Sequence, residues 1–448
     1  SSMYGERVKA HGMSSVERAF CGFAGVESHD ELNRHVCFGE GFAGSAILRA
    51  GLLTGCRPMS EPSAKRVARA QQVFVPTYRP RAVILERGEG SRVWDTEGRD
   101  YIDFAGGIAV NALGHANPIL QKALGEPPIR LAEALLASAP FVQKVFLCNS
   151  GAEANEAAIK LARRRASLQG RPADQRVILS FRGSFHGRTL ATVTATAQPK
   201  YQEGYEPLPG GFRYADLNDV GQLDELLTAD VCAVLVEPIQ GEGGVLPCKP
   251  GFLAALRQRC DALGALLMLD EIQCGIGRTG RLFAHEWEDI RPDVVTLAKA
   301  LGGGFPIGAM LVGDQGAEVL GYGSHGTTFG GNPLAAAVAF AALQEITSAP
   351  LLENVAQRER QLRAGLREIN AVIPLFSEVR GRGLMLGAQL VAERCGRAAE
   401  LLDLAADEGL LLLQAGPDVL RFVPALNITE REVEEGLHRL QRAAQRWH

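Results

Sequence analysis

Val294-Val295-Thr296-Leu297-Ala298-Lys299-Ala300-Leu301-Gly302-Gly303-Gly304 places one lysine between an apolar run and three consecutive glycines. A lysine is rarely withdrawn from water without a partner, because its charge is costly to desolvate. Glycines let backbone approach whatever lies beside it, and a desolvated lysine loses basicity and becomes a nucleophile able to form a Schiff base. The same letters also describe a surface lysine between a short strand and a turn, so the decision rests on the rest of the chain.

Outward from this stretch, between residues 145 and 301, apolar runs alternate with helical patterns. The strand candidates are Val145-Phe146-Leu147, Val177-Ile178-Leu179, Cys232-Ala233-Val234-Leu235-Val236, residues 265–269 and residues 294–297; helices are expected over 152–165 and 251–263. Continuous apolar strands separated by helices predict an α/β fold with a mainly parallel sheet between helical layers. Ligands of such sheets bind just past the carboxyl ends of the strands. A hairpin is expected around Thr96-Glu97-Gly98, a helix over 333–346, and beyond it a smaller α+β part with strand-like 378–389 and 419–423 and an amphipathic helix over 430–445.

The strand ends carry the chemistry. Asn149-Ser150-Gly151-Ala152-Glu153 opens a helix, whose unpaired N–H groups and dipole suit a phosphate, although Ser150 also serves as an ordinary cap. Phe181 to Thr189 holds Phe185, His186 and Arg188 in a glycine-rich loop, a setting for a flat anionic ligand or for a packed surface turn. Glu237-Pro238-Ile239-Gln240-Gly241-Glu242 puts two carboxylates in a turn, and Asp270 ends the apolar run Leu267-Met268-Leu269, where a buried acid needs a cationic partner. Gly275-Ile276-Gly277-Arg278-Thr279-Gly280 matches GxGxxG, but residues 281–293 are too short and broken to make the crossover helix of a dinucleotide fold. A phosphate-suited helix start, an aromatic, a strand-end acid and a lysine together are what pyridoxal phosphate (PLP) requires.

These motifs resemble the class III aminotransferases of the PLP-dependent fold type I, and among them those acting on acetylornithine and succinylornithine. The resemblance runs from about residue 75 to the carboxyl terminus and rests on residues 106–115, 149–156, 184–189, 236–244, 269–280, 297–309, 326–333 and 420–426. It implies that Lys299 holds the cofactor aldehyde and moves the proton, that Asp270 pairs with the ring nitrogen, that Phe185 stacks on the ring and that Gln273 reaches its hydroxyl. Ser150, Gly151 and Ala152 would form the phosphate site, with Thr328 reaching the phosphate of a neighbouring subunit in a homodimer. Arg188 would take the donor's α-carboxylate. Glu242 and Arg421 would act as a gate, Arg421 being released to bind glutamate or 2-oxoglutarate. Ile108 stands where ornithine aminotransferases carry a tyrosine, which implies an N2-acylornithine donor. One departure stands out: after Glu126 the family continues with an aromatic, Asn- and Thr-containing loop, whereas here Pro127-Pro128 follows at once. Alternatives within the chemistry are a succinylornithine or a 4-aminobutyrate-type donor; outside it, a PLP-binding protein without turnover.

The whole chain agrees with this reading. Its 448 residues allow more than one domain, and a charge of −4 offers no footprint for nucleic acid. No apolar run has the length of a membrane span, and nine cysteines without a CxxC spacing indicate neither zinc nor a disulfide framework. No metal is expected, and the cytoplasm is the default location. Residues 1–58 read as an atypical extension ahead of Met59, residues 59–110 as the first part of the small domain, 111–345 as the large cofactor-binding domain and 346–448 as the remainder of the small domain.

Overall fold

The computed structural model describes residues 85–95, 97–106, 113–115 and 128–447. The extension 1–58, Ile108 and the Glu126–Pro127 junction lie outside the described residues. The described residues fall into two units, 85–88 with 94, 95 and 97–99 in one, and 89–93 with those from 100 onward in the other. In the described part of the first, Arg87 lies 3.6 Å over the ring of Trp94, and Asp95 binds the Arg99 guanidinium at 2.7 Å.

A seven-stranded sheet dominates the second unit, in the spatial order Val142–Cys148, Gly308–Gly313, Val294–Leu297, Leu266–Asp270, Val231–Val236, Val177–Phe181, Phe212–Ala215. Gly308–Gly313 is antiparallel to both neighbours, and every other pairing in the sheet is parallel. The three central parallel strands are buried at every residue, the pattern expected of a sheet covered on both faces. Leu267 is fully buried here; trimming such a side chain to alanine costs about 2–5 kcal/mol.

The five expected sheet strands are present. Two escaped periodicity. Phe212–Ala215 is an edge strand carrying Arg213, and Gly308–Gly313 is bounded by glycines that mask its apolar centre. The first helix extends slightly beyond expectation to Gly151–Leu168, Phe252–Leu263 starts one residue later than expected, and Pro333–Ile346 forms as expected. Beyond it lies the helix Ala349–Val372, which buries Leu351, Val355, Leu362, Leu366 and Ile369 at helical spacing.

A four-stranded antiparallel sheet follows, ordered Phe376–Arg382, Met385–Leu390, Val419–Phe422, Leu413–Ala415. The single strand-like stretch expected over 378–389 is therefore two strands. The turn between them holds Gly383 at φ +57, with Thr279 backbone so close that no Cβ fits. The last helix, Glu430–Arg446, is closed by a Thr429–Glu432 capping box and buries Val433, Leu437 and Leu440. Among the described residues no single helix is long and apolar enough to cross a membrane.

Candidate active site

Lys299 lies two residues past the strand Val294–Leu297, at the start of a short 3₁₀ turn, rather than within the strand. Its backbone is left-handed at φ +45, a strained setting for a side chain with a Cβ. Gly302 permits the turn: a Cβ there would sit 2.0 Å from the Phe305 carbonyl oxygen. Burial lowers the pKa of the Lys299 amine and the charge of Arg421 adds to this, while Glu242, Asp270 and Glu237 oppose it. The sequence stretch thus becomes a partly desolvated amine set among acids.

Asp270 ends the neighbouring strand, in register with Thr296. Its carboxylate is almost wholly buried, and donors converge on it. Oδ2 accepts from Asn155 Nδ2 at 2.7 Å and His186 Nδ1 at 2.7 Å, and Oδ1 accepts from the Ile272 N–H at 3.1 Å. A carboxylate only accepts, so His186 carries its proton on Nδ1. Such an array supports an ionised acid in a dry place.

Glu237 lies deeper. It accepts from the N–H groups of Phe185 at 3.0 Å and Gly241 at 3.2 Å. Burial and the nearby Asp270 nevertheless push its carboxyl up to about 7, against the pull of His186. Glu242 behaves oppositely. Burial would raise it, but the ion pair with Arg421 at 2.6 Å holds it below the usual carboxylate range. Arg421 also donates to Gln273 Oε1 at 3.1 Å, and its buried Nε has no hydrogen-bond partner among the described residues. Gly241 lets Gln273 pack against its backbone, since a Cβ there would lie 2.3 Å from that same oxygen.

Ser150 caps the helix Gly151–Leu168 through the N–H of Glu153 at 3.2 Å. The N–H groups of Gly151 and Ala152 have no acceptor among the described residues, which leaves the anion-binding end of an 18-residue helix available. Phe185 meets Tyr201 edge-on at 5.8 Å, and the exposed Arg188 stacks over Tyr201 at 4.2 Å. Thr328 is exposed and makes no hydrogen bond among the described residues.

Five of the eleven site residues expected from sequence come together: Lys299, Asp270, Gln273, Glu242 and Arg421 are linked by hydrogen bonds or mutual electrostatic influence. In the sequence Glu237 is a strand-end carboxylate without a role, and Asn155, Thr296, Tyr201 and Lys200 are not marked there as functional side chains. Asn155 alone left a signal, a polar residue among the buried alanines of an apolar helix face. Arg278 of the GxGxxG match serves packing. It is fully buried, with Nη1 donating to the Leu384 carbonyl at 3.1 Å and also to that of Pro424, and desolvation lowers it to about 9.

A strand-end carboxylate with remaining acceptor capacity, free N–H groups at a helix start and a lysine of lowered basicity are the donor and acceptor set that PLP needs. The class this defines is a PLP-dependent transaminase of fold type I. Residues 74–444 match the model of the family described as aminotransferase class-III, and the chain belongs to it. The chain is 63% identical to an acetylornithine aminotransferase of Xanthomonas campestris pv. campestris over 386 residues, covering 83% of this chain and 95% of that protein. It is 50% identical to a succinylornithine transaminase of Yersinia pseudotuberculosis over 402 residues, covering 85% and 97%. Among solved structures it resembles N-acetylornithine aminotransferase of Stenotrophomonas maltophilia at TM-score 0.74 and 52% identity, over 84% of this chain and 98% of that one. An ornithine aminotransferase of Toxoplasma gondii superposes at TM-score 0.81 with 31% identity, over 89% and 97%.

Proposed function

We propose that this enzyme transfers the terminal amino group of N2-acetylornithine to 2-oxoglutarate, giving N-acetylglutamate 5-semialdehyde and glutamate, the transamination step of arginine biosynthesis. It would work as a cytoplasmic homodimer, with Thr328 completing the phosphate site of the partner. The observation that carries the reading is the Glu242–Arg421 pair at 2.6 Å beside Lys299, supported by the kinship to acetylornithine aminotransferases. A ping-pong enzyme must accept a donor that presents an amine at the reacting end and then an acceptor that presents a carboxylate there. An arginine held by one acid serves both: paired, it offers a neutral wall to the donor chain; released, it binds the acceptor's α-carboxylate in a forked geometry.

In this scheme Gly151 and Ala152 hold the cofactor phosphate with Ser150 at the helix cap, Asp270 faces the ring nitrogen, Gln273 the ring hydroxyl and Phe185 the ring face. Bound PLP supplies an electron sink for the carbon that loses its proton. Lys299 would hold the cofactor and, as an amine of lowered basicity, would accept and then return the proton that leaves the donor's terminal carbon. Arg188 takes the donor's α-carboxylate, oriented by its seat on Tyr201. The test is the visible spectrum of the PLP-loaded enzyme. N2-acetylornithine bleaches the yellow band and 2-oxoglutarate restores it; a band that no amino donor bleaches would sink the proposal.

A second donor has support of its own. The Lys200 ammonium lies 4.7 Å from the Tyr201 ring centre, near Arg188, and neither cation pairs with a carboxylate among the described residues. Two unneutralised cations on one ring favour a donor carrying a second carboxylate, as in N2-succinylornithine. Lys200→Gln should lower kcat/KM for the succinyl donor about threefold to tenfold and leave the acetyl donor unchanged; an equal effect on both removes this reading.

A further inference from the structure

The helix that offers its first N–H groups to the phosphate also reaches the acid at the opposite end of the cofactor ring. Asn155 lies one turn beyond Gly151, is fully buried, and has both its donors and one oxygen lone pair engaged. Its Nδ2 donates to Asp270 Oδ2 at 2.7 Å and to the His186 carbonyl at 2.8 Å, while its Oδ1 accepts from the Thr296 hydroxyl at 2.8 Å. Only one orientation of the amide is possible. Turned over, its oxygen would face a carboxylate and a carbonyl, two acceptors with no proton between them. Thr296, the register partner of Asp270 on the next strand, donates to the amide oxygen and so locks that orientation.

We infer that Asn155, locked by Thr296, is the positioning residue that aims Asp270 at the ring nitrogen and sets the span between the nitrogen and phosphate sites. With Oδ2 of Asp270 occupied by Asn155 and His186, and Oδ1 by one backbone N–H, the carboxylate cannot swing. Its remaining acceptor capacity on Oδ1 is left for one more donor. The same amide ties the His186 loop, the Asp270 strand end and the Thr296 strand to the helix that presents Gly151 and Ala152. One rigid element thereby links both anchor points of the cofactor, and preorganisation of this kind strengthens binding without adding a contact.

The experiment compares PLP with its 1-deaza analogue, in which the ring nitrogen is a C–H group. Both are bound to the full chain after stripping and reloading, and dissociation constants are read by the visible or fluorescence signal. Asn155→Ala should raise the PLP Kd about tenfold or more, as expected for a lost hydrogen bond to a charged group, and change the analogue's Kd by less than about twofold. In an Asp270→Ala background the Asn155 substitution should no longer discriminate between the two ligands. Thr296→Val, which removes only the hydroxyl, should shift PLP alone by about threefold, and Thr296→Ser should restore the parent value. Equal shifts for both ligands would make Asn155 a support of the helix and overturn the inference, as would no shift for either. If Asn155→Ala does not fold, Thr296→Val decides: an unchanged ratio of PLP to analogue affinity overturns it.

Discussion

Asp270 and Arg421 are both buried charges within reach of Lys299, and they are held in opposite ways. Asp270 accepts three hydrogen bonds from three different segments, one of them backbone. Arg421 rests on one carboxylate at 2.6 Å and one amide oxygen at 3.1 Å, leaves its Nε without a hydrogen-bond partner among the described residues, and pairs with an acid whose side chain is 22% exposed. A charge held by several donors stays fixed, because every motion breaks several bonds in a dry place. A charge held by one exchangeable partner can be transferred to a ligand carboxylate at little net cost. The site therefore separates a charge held from several sides from one held by a single carboxylate; under the proposed function the first would serve the cofactor and the second both substrates.

The largest effect falls on the residue between them. Lys299→Ala should slow both half-reactions by about 10⁴-fold, the scale of general acid–base catalysis, as measured by single-turnover bleaching of the cofactor band. Asp270→Asn should follow, with losses of about 10²- to 10³-fold in kcat for donor and acceptor alike, since the fixed element acts whichever substrate is bound. The movable pair should split the two halves. Arg421→Gln should lower kcat/KM for 2-oxoglutarate about 30- to 100-fold, whereas Glu242→Gln should impair mainly the amino-donor half and leave the acceptor half within about threefold. Equal losses in both halves for Glu242→Gln would erase the distinction between fixed and movable charge.

The smallest effect concerns Glu237, which burial pushes up to about 7. Its carboxyl holds a proton more tightly in the native protein than in the unfolded chain. Its contribution is therefore fully present below the ordinary glutamate range near 4.5 and is lost as pH rises through about 7. The melting temperature should decline across this window, and Glu237→Gln should flatten the decline. An unchanged slope would remove Glu237 as the source of the decline.

Much of this architecture was legible beforehand. Continuous apolar runs identified the central strands, since a strand buried on both faces tolerates little else. The acid and the lysine declared themselves as charges at the ends of such runs. The strand Gly308–Gly313 and the split of 376–390 into a hairpin were not legible, because glycines erase the periodicity that marks an element and also permit the turn that divides it. The resemblance supplied Arg421 and Glu242; the local pattern around neither residue distinguishes it from a solvated charge.

By itself, then, the sequence determined the layered α/β fold, the strand ends at which to search and the types of reacting group, because these follow from burial periodicity over a few neighbouring residues. Only the tertiary structure decided which groups hold one another. Asn155 meets Asp270 across 115 residues, and Arg421 meets Glu242 across 179. Hydrogen-bond saturation and charge pairing depend on atoms brought within 3 Å by packing, and no local pattern of residues encodes that distance.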